Sequence, residues 1–336
     1  MAYTKILGTG IYVPGEPISN EELLELAGIE FDPQRHREKL GISRRHIAKL
    51  RNLHETTADF AEMAARKALA NADVDPMDIQ LIVVATDTPE FISPATSILI
   101  QGRLMGGQSQ CGVFDVNATC AGFTTSFDIA NRMIAADPGI NHALIIGVYN
   151  MPAFVRDNDA FGYSIFADGA GAFVLSRCED QEESRYIQGY SVSDGTQWDY
   201  VGIYSGGSRQ PVTRERLDAG EYGLQLLQRL PGDRNVKLWP TVVEGLLRRA
   251  GVELNDVDHF LFTQINKSVI EEVMKILGQP MSKTTTIMED FGYTGSACIP
   301  MALHRAIEEK AINRGDKVCM VASGAGLAVA ANLFVY

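Results

Sequence analysis

Short, nearly continuous apolar runs recur along this chain, and between them the apolar positions repeat at helical spacing. Leu81-Ile82-Val83-Val84-Ala85 and Ala143-Leu144-Ile145-Ile146-Gly147 show no polar alternation, the pattern of central strands covered on both faces. Residues 56–72 carry Phe60, Met63, Ala64, Ala68 and Ala70 between polar side chains, which predicts a helix. Residues 114–116 form an extended run that passes through small residues into helix-spaced Phe123, Phe127, Ile129, Ala130 and Met133. Strands alternating with helices predict an α/β layered fold.

The pattern also repeats itself. Residues 74–83 (VDPMDIQLIV) resemble residues 252–261 (VELNDVDHFL), about half a chain further on. The helix-to-strand passage from Arg132-Met133-Ile134 to Ala143-Leu144-Ile145-Ile146 recurs from Arg305-Ala306-Ile307 to Lys317-Val318-Cys319-Met320. This period is too long for a solenoid, whose repeats run about 20–50 residues. Two homologous halves, residues 1–175 and 176–336, account for it.

Composition narrows the function classes. The 336 residues are 46% hydrophobic and 21% charged, enough core material for a globular chain. A net charge of −12 argues against a general nucleic-acid binder. No apolar run reaches the length of a membrane span, and the start lacks a signal-peptide pattern. Five scattered cysteines without a CxxC pair suit reduced thiols in a cytoplasm and give no zinc site. Cys120 stands out among them. It lies where the extended run meets a helix, and unpaired N–H groups and the helix dipole there favour a thiolate. Taken alone, the same position suits a buried structural cysteine, as do the other four.

Several segments carry a resemblance. They are residues 3–14 (YTKILGTGIYVP), 41–48 (GISRRHIA), 82–86 (IVVAT), 115–123 (DVNATCAGF) and 166–172 (FADGAGA), with a glycine-rich turn at 323–326 (SGAG). From end to end the chain resembles the ketoacyl-carrier-protein synthase III family of thiolase-fold condensing enzymes. The resemblance implies an α/β thiolase-like fold, two duplicated halves in an α-β-α-β-α arrangement, working as a cofactor-free cytoplasmic homodimer. It also implies that the Cys120 thiolate attacks an acyl thioester, with the amides of Cys120 and Ala325, beside Gly324, receiving the oxyanion.

Two departures from the family pattern fall on its second step. A standard member uses a histidine and an asparagine to stabilise the enolate formed when malonyl-carrier protein loses CO2. The histidine segment corresponds here to Thr263-Gln264-Ile265-Asn266, so Thr263 stands at the histidine position. The asparagine segment corresponds to Gly292-Tyr293-Thr294, so Tyr293 stands at the asparagine position. Threonine cannot serve as a cationic partner, and the phenol is at most a donor or weak acid. None of the six histidines lies in either motif; His259 and His304 are the nearest. Acyl loading is expected to survive and malonyl condensation to be impaired.

The resemblance also marks binding surfaces for acyl-CoA or acyl-carrier protein. Residues 35–51 hold seven Lys or Arg against one acid, an excess that suits phosphates or an acidic carrier and equally suits a solvated helix face. Arg35 takes the place of a family tryptophan that stacks on adenine, and Arg156 resembles a second position near the nucleotide. Asn266, Lys267 and Lys275 fall on the counterpart of the carrier-docking helix. Ser93 stands where the family carries a bulky side chain lining the acyl pocket across the dimer. The leading expectation is an acyltransferase that passes its acyl group to an acceptor needing little or no decarboxylation. A standard 3-oxoacyl synthase is the alternative, then a partner subunit of a heteromeric condensing enzyme, and then a thioester hydrolase.

Overall fold

The apolar runs become the strands of two mixed sheets in the computed structural model, which describes residues 3–107, 109–178 and 184–336. The first sheet contains β1 (Tyr3–Tyr12), β2 (Leu81–Ala85), β3 (Gly112–Val116), β4 (His142–Tyr149) and β5 (Gly169–Cys178), in the order β1-β5-β4-β2-β3. The second contains β6 (Arg185–Gln197), β7 (His259–Phe262), β8 (Lys317–Gly324) and β9 (Gly326–Val335), in the order β6-β9-β8-β7. β2 runs parallel to β3 and β4, and β7 parallel to β8; β5 and β9 run antiparallel to their neighbours. Strand for strand, β6, β9, β8 and β7 repeat β1, β5, β4 and β2. The first sheet continues through β5 to Cys178, past the boundary expected at 175.

Alternate residues of the buried strands serve different layers. Leu81, Val83, Ala143 and Ile145 face the same cluster as α3 (Gly122–Ala136), and Leu261, Val318 and Met320 of the second sheet reach that cluster from the other side. With α6 (Cys298–Glu308), α3 forms the middle layer between the sheets. The intervening Ile82, Val84, Leu144 and Ile146 pack beneath α1 (Thr57–Ala72) and α2 (Thr96–Met105). Phe260, Phe262, Cys319 and Val321 pack beneath α4 (Arg234–Ala250) and α5 (Lys267–Ile276). The result is the α-β-α-β-α order of a thiolase-like fold.

Backbone approach is close where α1 crosses β1. A Cβ on Gly10 would lie 2.4 Å from the Ala68 nitrogen, and one on Gly8 2.5 Å from that of Ala72. Glycine in the strand and alanine in the helix therefore let the two backbones meet. Two of the quoted motifs also hold each other. The Asp168 carboxylate accepts from the Ala48 N–H at 2.8 Å, and the Asp168 N–H donates to the His46 carbonyl at 2.8 Å. That contact seats the loop after residue 41 against the loop before β5.

Candidate active site

The C-terminal ends of parallel strands from both sheets open onto one cavity, where open α/β sheets commonly bind ligands. Asp87 follows β2, Tyr149 ends β4, and Ser323 and Gly324 end β8; all line the cavity together with Cys120. Its volume of about 510 Å³ falls in the range of small-molecule sites.

Cys120 sits two residues before α3, at the end of a tight turn. Ala121 N–H donates to the Ala118 carbonyl at 3.0 Å and Gly122 N–H to that of Thr119 at 2.9 Å. Thr119 adopts φ 49, a left-handed conformation that is uncommon for a β-branched residue. It is held there by its N–H on Asn117 Oδ1 at 3.1 Å and its hydroxyl on the Ala325 carbonyl at 3.4 Å. Gly324 presses against the same turn, since a Cβ there would lie 2.8 Å from the Cys120 nitrogen. The glycine-rich turn thus packs on the Cys120 backbone, and Gly324, Ala325 and Cys120 share the cavity.

The thiol is not the acidic one expected at a helix start. Burial and the Asp87 carboxylate push the Cys120 pKa well above the ordinary thiol value, and donation from the Tyr293 hydroxyl reverses this only in part. Tyr149, Tyr293 and Phe166 line the same cavity, and desolvation is the largest influence on the thiol. Cys111, Cys298 and Cys319 are pushed by burial to about 11, 12 and 12, as befits inert structural thiols.

The two departures separate. Tyr293 lines the cavity, 2% exposed, its ring centroid 5.7 Å from Phe166 and 6.3 Å from Tyr149. Burial first, then the neighbouring Cys120, push its phenol well above 10, so it is a neutral donor. Thr263 does not line the cavity: it is buried, and its hydroxyl accepts from the Ser323 N–H at 2.9 Å. The neighbouring Ser323 hydroxyl accepts from Trp239 Nε1 at 3.1 Å and bonds Asn235 Oδ1 at 3.2 Å. His259 and His304 lie elsewhere, bonded to the Thr285 and Thr9 hydroxyls at 2.9 and 2.8 Å. No histidine lines the cavity among the described residues.

The surface residues divide as well. Asn266 lines the cavity and caps α5, accepting from the Val269 N–H at 3.4 Å, while Leu40 and Val269 line the same side. Lys267 packs against Gly41, beside the basic segment. Most of that segment's charge is already engaged: Arg37 pairs with Glu21, Arg44 with Asp290, Lys49 with Asp157 and Arg51 with Glu22. Arg45 is fully buried, donating to the Ser164 carbonyl at 3.0 Å, and burial lowers its pKa to about 10. Arg35 and Lys39 stay exposed, with no acidic partner among the described residues. Arg156 donates to the Gly220 carbonyl at 3.3 Å and lies 3.7 Å from Asp159, off the cavity wall. Ser93 is exposed on the loop before α2 and does not line this cavity.

Sequence reasoning missed Asp87, Tyr149, Arg234 and much of the wall between Trp198 and Gly232, where Val201–Ile203 pairs with Leu224–Leu226. Arg234, half-buried, donates to Gln197 Oε1 at 3.3 Å. The available signal was an acidic residue directly after a predicted strand end, at Ala85-Thr86-Asp87.

Comparison with known proteins agrees with this architecture. Family models match twice: 3-oxoacyl-[acyl-carrier-protein] synthase III over residues 114–195 and its C-terminal region over residues 247–336. A beta-ketoacyl-[acyl-carrier-protein] synthase III of Methylococcus capsulatus is 33% identical over 334 residues, 99% of each chain. One of Alkalilimnicola ehrlichii is 34% identical over 337 residues, 100% of each. The crystal structure of 3-oxoacyl-[acyl-carrier-protein] synthase III from Aquifex aeolicus superposes with a TM-score of 0.85 at 30% identity, covering 99% of this chain and 100% of that one. The priming beta-ketosynthase of the R1128 polyketide pathway gives 0.84 at 28% identity, covering 99% and 96%. With duplicated sheets, a cysteine at their shared cavity and relatives matched along their full length, this chain belongs to the 3-oxoacyl-[acyl-carrier-protein] synthase III family.

Proposed function

We propose that the chain is an acyltransferase that loads an acyl group from a coenzyme A or carrier-protein thioester onto Cys120. It then delivers the group to an acceptor without efficient decarboxylation of malonyl-carrier protein. The observation that carries this reading is the cavity's donor set. Beside Cys120 stand the Tyr293 phenol and the glycine-rich turn, while Thr263 is buried off the cavity wall. Attack of sulfur on the thioester needs oxyanion donors, for which the Cys120 and Ala325 amides are the candidates. Stabilising a malonyl-derived enolate needs donors aimed at its oxygen, and no imidazole faces that space among the described residues.

Leu40, Asn266 and Val269, which line the cavity, are next in the chain or in space to Lys39 and Lys267, and Arg35 lies on the same basic segment, which suits the phosphates of a pantetheine-bearing donor. The reading places the enzyme in the cytoplasm as a homodimer. Among the described residues β3 ends its sheet with a free edge, and the Thr96 and Ser97 N–H groups tie the start of α2 to Asp115 of that strand at 2.7 and 2.8 Å. The neighbouring Phe91, Ile92 and Ile98 are 52%, 85% and 51% exposed. An uncovered apolar patch beside a free strand edge is a natural subunit interface, and it would bring Ser93 toward the partner.

The test is intact-mass analysis with a panel of acyl-CoA and acyl-carrier thioesters. One acyl mass should appear on the wild type and vanish in Cys120→Ala. Malonyl-carrier protein added to the acyl-enzyme should release little CO2. A second reading, ordinary decarboxylative synthesis, is favoured by one observation: the Tyr293 hydroxyl reaches the nucleophile and can donate where the family places its amide. Condensation of malonyl-carrier protein at about 1 s⁻¹ or faster, an ordinary enzyme turnover, would establish that reading instead.

A further inference from the structure

We propose that Asp87 is the acid–base residue of acyl transfer at Cys120. It takes the proton first from the cysteine thiol and then from a hydroxyl, amine or thiol on the acceptor. This role rests on the acyltransferase reading above.

Asp87 is built into its place. The Thr86 N–H donates to the Val116 carbonyl at 3.1 Å, joining the end of β2 to the end of β3, from which the chain turns to Cys120. Thr86 and Thr88 are buried; Thr88 N–H donates to the Thr86 hydroxyl at 3.0 Å, and the Asn150 N–H donates to the Thr88 hydroxyl at 2.9 Å. Thr57 donates its hydroxyl to the Thr88 carbonyl at 2.8 Å. Two clamped threonines thus hold the carboxylate between them. Its Oδ1 is sealed from solvent and accepts no hydrogen bond from the described residues, an expensive arrangement for a group with only a packing role.

The rest of the cavity wall leaves the task to this carboxylate. Its other titratable side chains are Cys120, Tyr149, Tyr204, Tyr293 and Arg234. The three phenols all lie above their ordinary value, chiefly through burial, and are donors near neutral pH. Arg234 is a permanent cation, and Cys298, behind the wall, is pushed to about 12. Asp87 is the remaining group that accepts a proton near neutrality; desolvation raises its pKa to about 6, and its charge acts on both Cys120 and Tyr149. A carboxylate tuned upward toward the working pH suits general acid–base catalysis.

The steps balance. The Cys120 S–H proton passes to Asp87 as sulfur attacks the donor thioester, and the tetrahedral oxyanion collapses with cleavage of the donor C–S bond. The departing thiolate takes the proton from Asp87, leaving S-acyl-Cys120 and a carboxylate. The acceptor X–H then attacks the acyl carbonyl and gives its proton to Asp87. The Cys120 C–S bond breaks, the cysteine thiolate recovers the proton, and acyl-X leaves.

The experiment uses the full-length enzyme, an acyl-CoA that loads Cys120, and isotopically labelled coenzyme A as the acceptor thiol. In Asp87→Asn the exchange of label into acyl-CoA should fall about 10²–10⁴-fold, the usual worth of a positioned acid–base group. Alkylation of Cys120 by iodoacetamide at pH 8 should become faster, because a negative charge beside the thiolate has gone. Asp87→Glu should recover part of the exchange. A merely structural role would slow both reactions together, and that result, or exchange within about threefold of wild type, as measured against the loss of about 10² or more, overturns the proposal. Should the asparagine variant fail to fold, the wild-type pH profile decides: exchange must rise with pH through about 6 as Asp87 ionises, and a flat profile there overturns the role. Absence of any acyl adduct on the wild type overturns the acyltransferase reading itself, and this role with it.

Discussion

At the scale of single residues, the place of Cys120, the proposed nucleophile, depends on an atom that is missing. A Cβ on Gly324 would lie 1.7 Å from the Thr119 hydroxyl oxygen and 2.8 Å from the Cys120 nitrogen. Thr119 is already in the left-handed region, so it has little freedom to yield. Gly324→Ala should therefore displace the turn that presents Cys120, at a cost of about 1–3 kcal/mol in stability. Acyl loading, read by intact mass against time, should slow at least tenfold, as a small misplacement of reacting atoms can do. Loading at the wild-type rate would show that the turn tolerates the methyl group and that its closeness is incidental.

At the scale of elements, the site stands where four strand ends meet, so the packing of β1 against α1 behind it can be tested separately. A Cβ on Gly10 would lie 2.4 Å from the Ala68 nitrogen and 2.6 Å from the Ala64 carbonyl oxygen, both backbone atoms of a helix that cannot rotate away. Gly10→Ala should lower the thermal midpoint by several degrees, the consequence of an overpacking cost of about 1–3 kcal/mol. Acylation of Cys120 per folded molecule should be unaffected, since Gly10 is remote from the cavity lining. A loss of acylation without a change in midpoint would contradict this division between scaffold and site.

At the scale of the whole molecule, the free edge of β3 and the exposed Phe91, Ile92 and Ile98 call for a partner. A two-fold axis beside β3 would cover them with a self-complementary surface. Light scattering at micromolar concentration should give twice the 36.7 kDa of one chain. Charged replacements at Ile92 and Ile98 should produce the single-chain mass; a wild-type monomer would leave this apolar patch without its expected cover.

Local pattern was enough for much of this protein. Leu81–Ala85 is a strand because an unbroken apolar run can be buried on both faces, and α1 follows from apolar spacing beneath its threonine cap. The duplication was legible because β7 and β8 repeat the apolar signature of β2 and β4. The place of Cys120 between a strand and a helix was legible because small residues surround it there, and the structure sets it at the cavity wall. What the chain's order could not convey is what lies opposite a side chain. Thr263 reads as the counterpart of a catalytic position, yet it is buried off the cavity wall, its hydroxyl accepting from the Ser323 amide beside the β7–β8 pair. A helix start argues for an acidic thiol at Cys120, whereas desolvation and the charge of Asp87 raise the thiol instead. Asp87 itself reads as an ordinary loop carboxylate. Only the folding of β2, β3 and β4 into one sheet seals its Oδ1 from water on the wall it shares with Cys120, because electrostatic character is set by neighbours distant in sequence, whereas strand and helix are set by neighbours within a few residues.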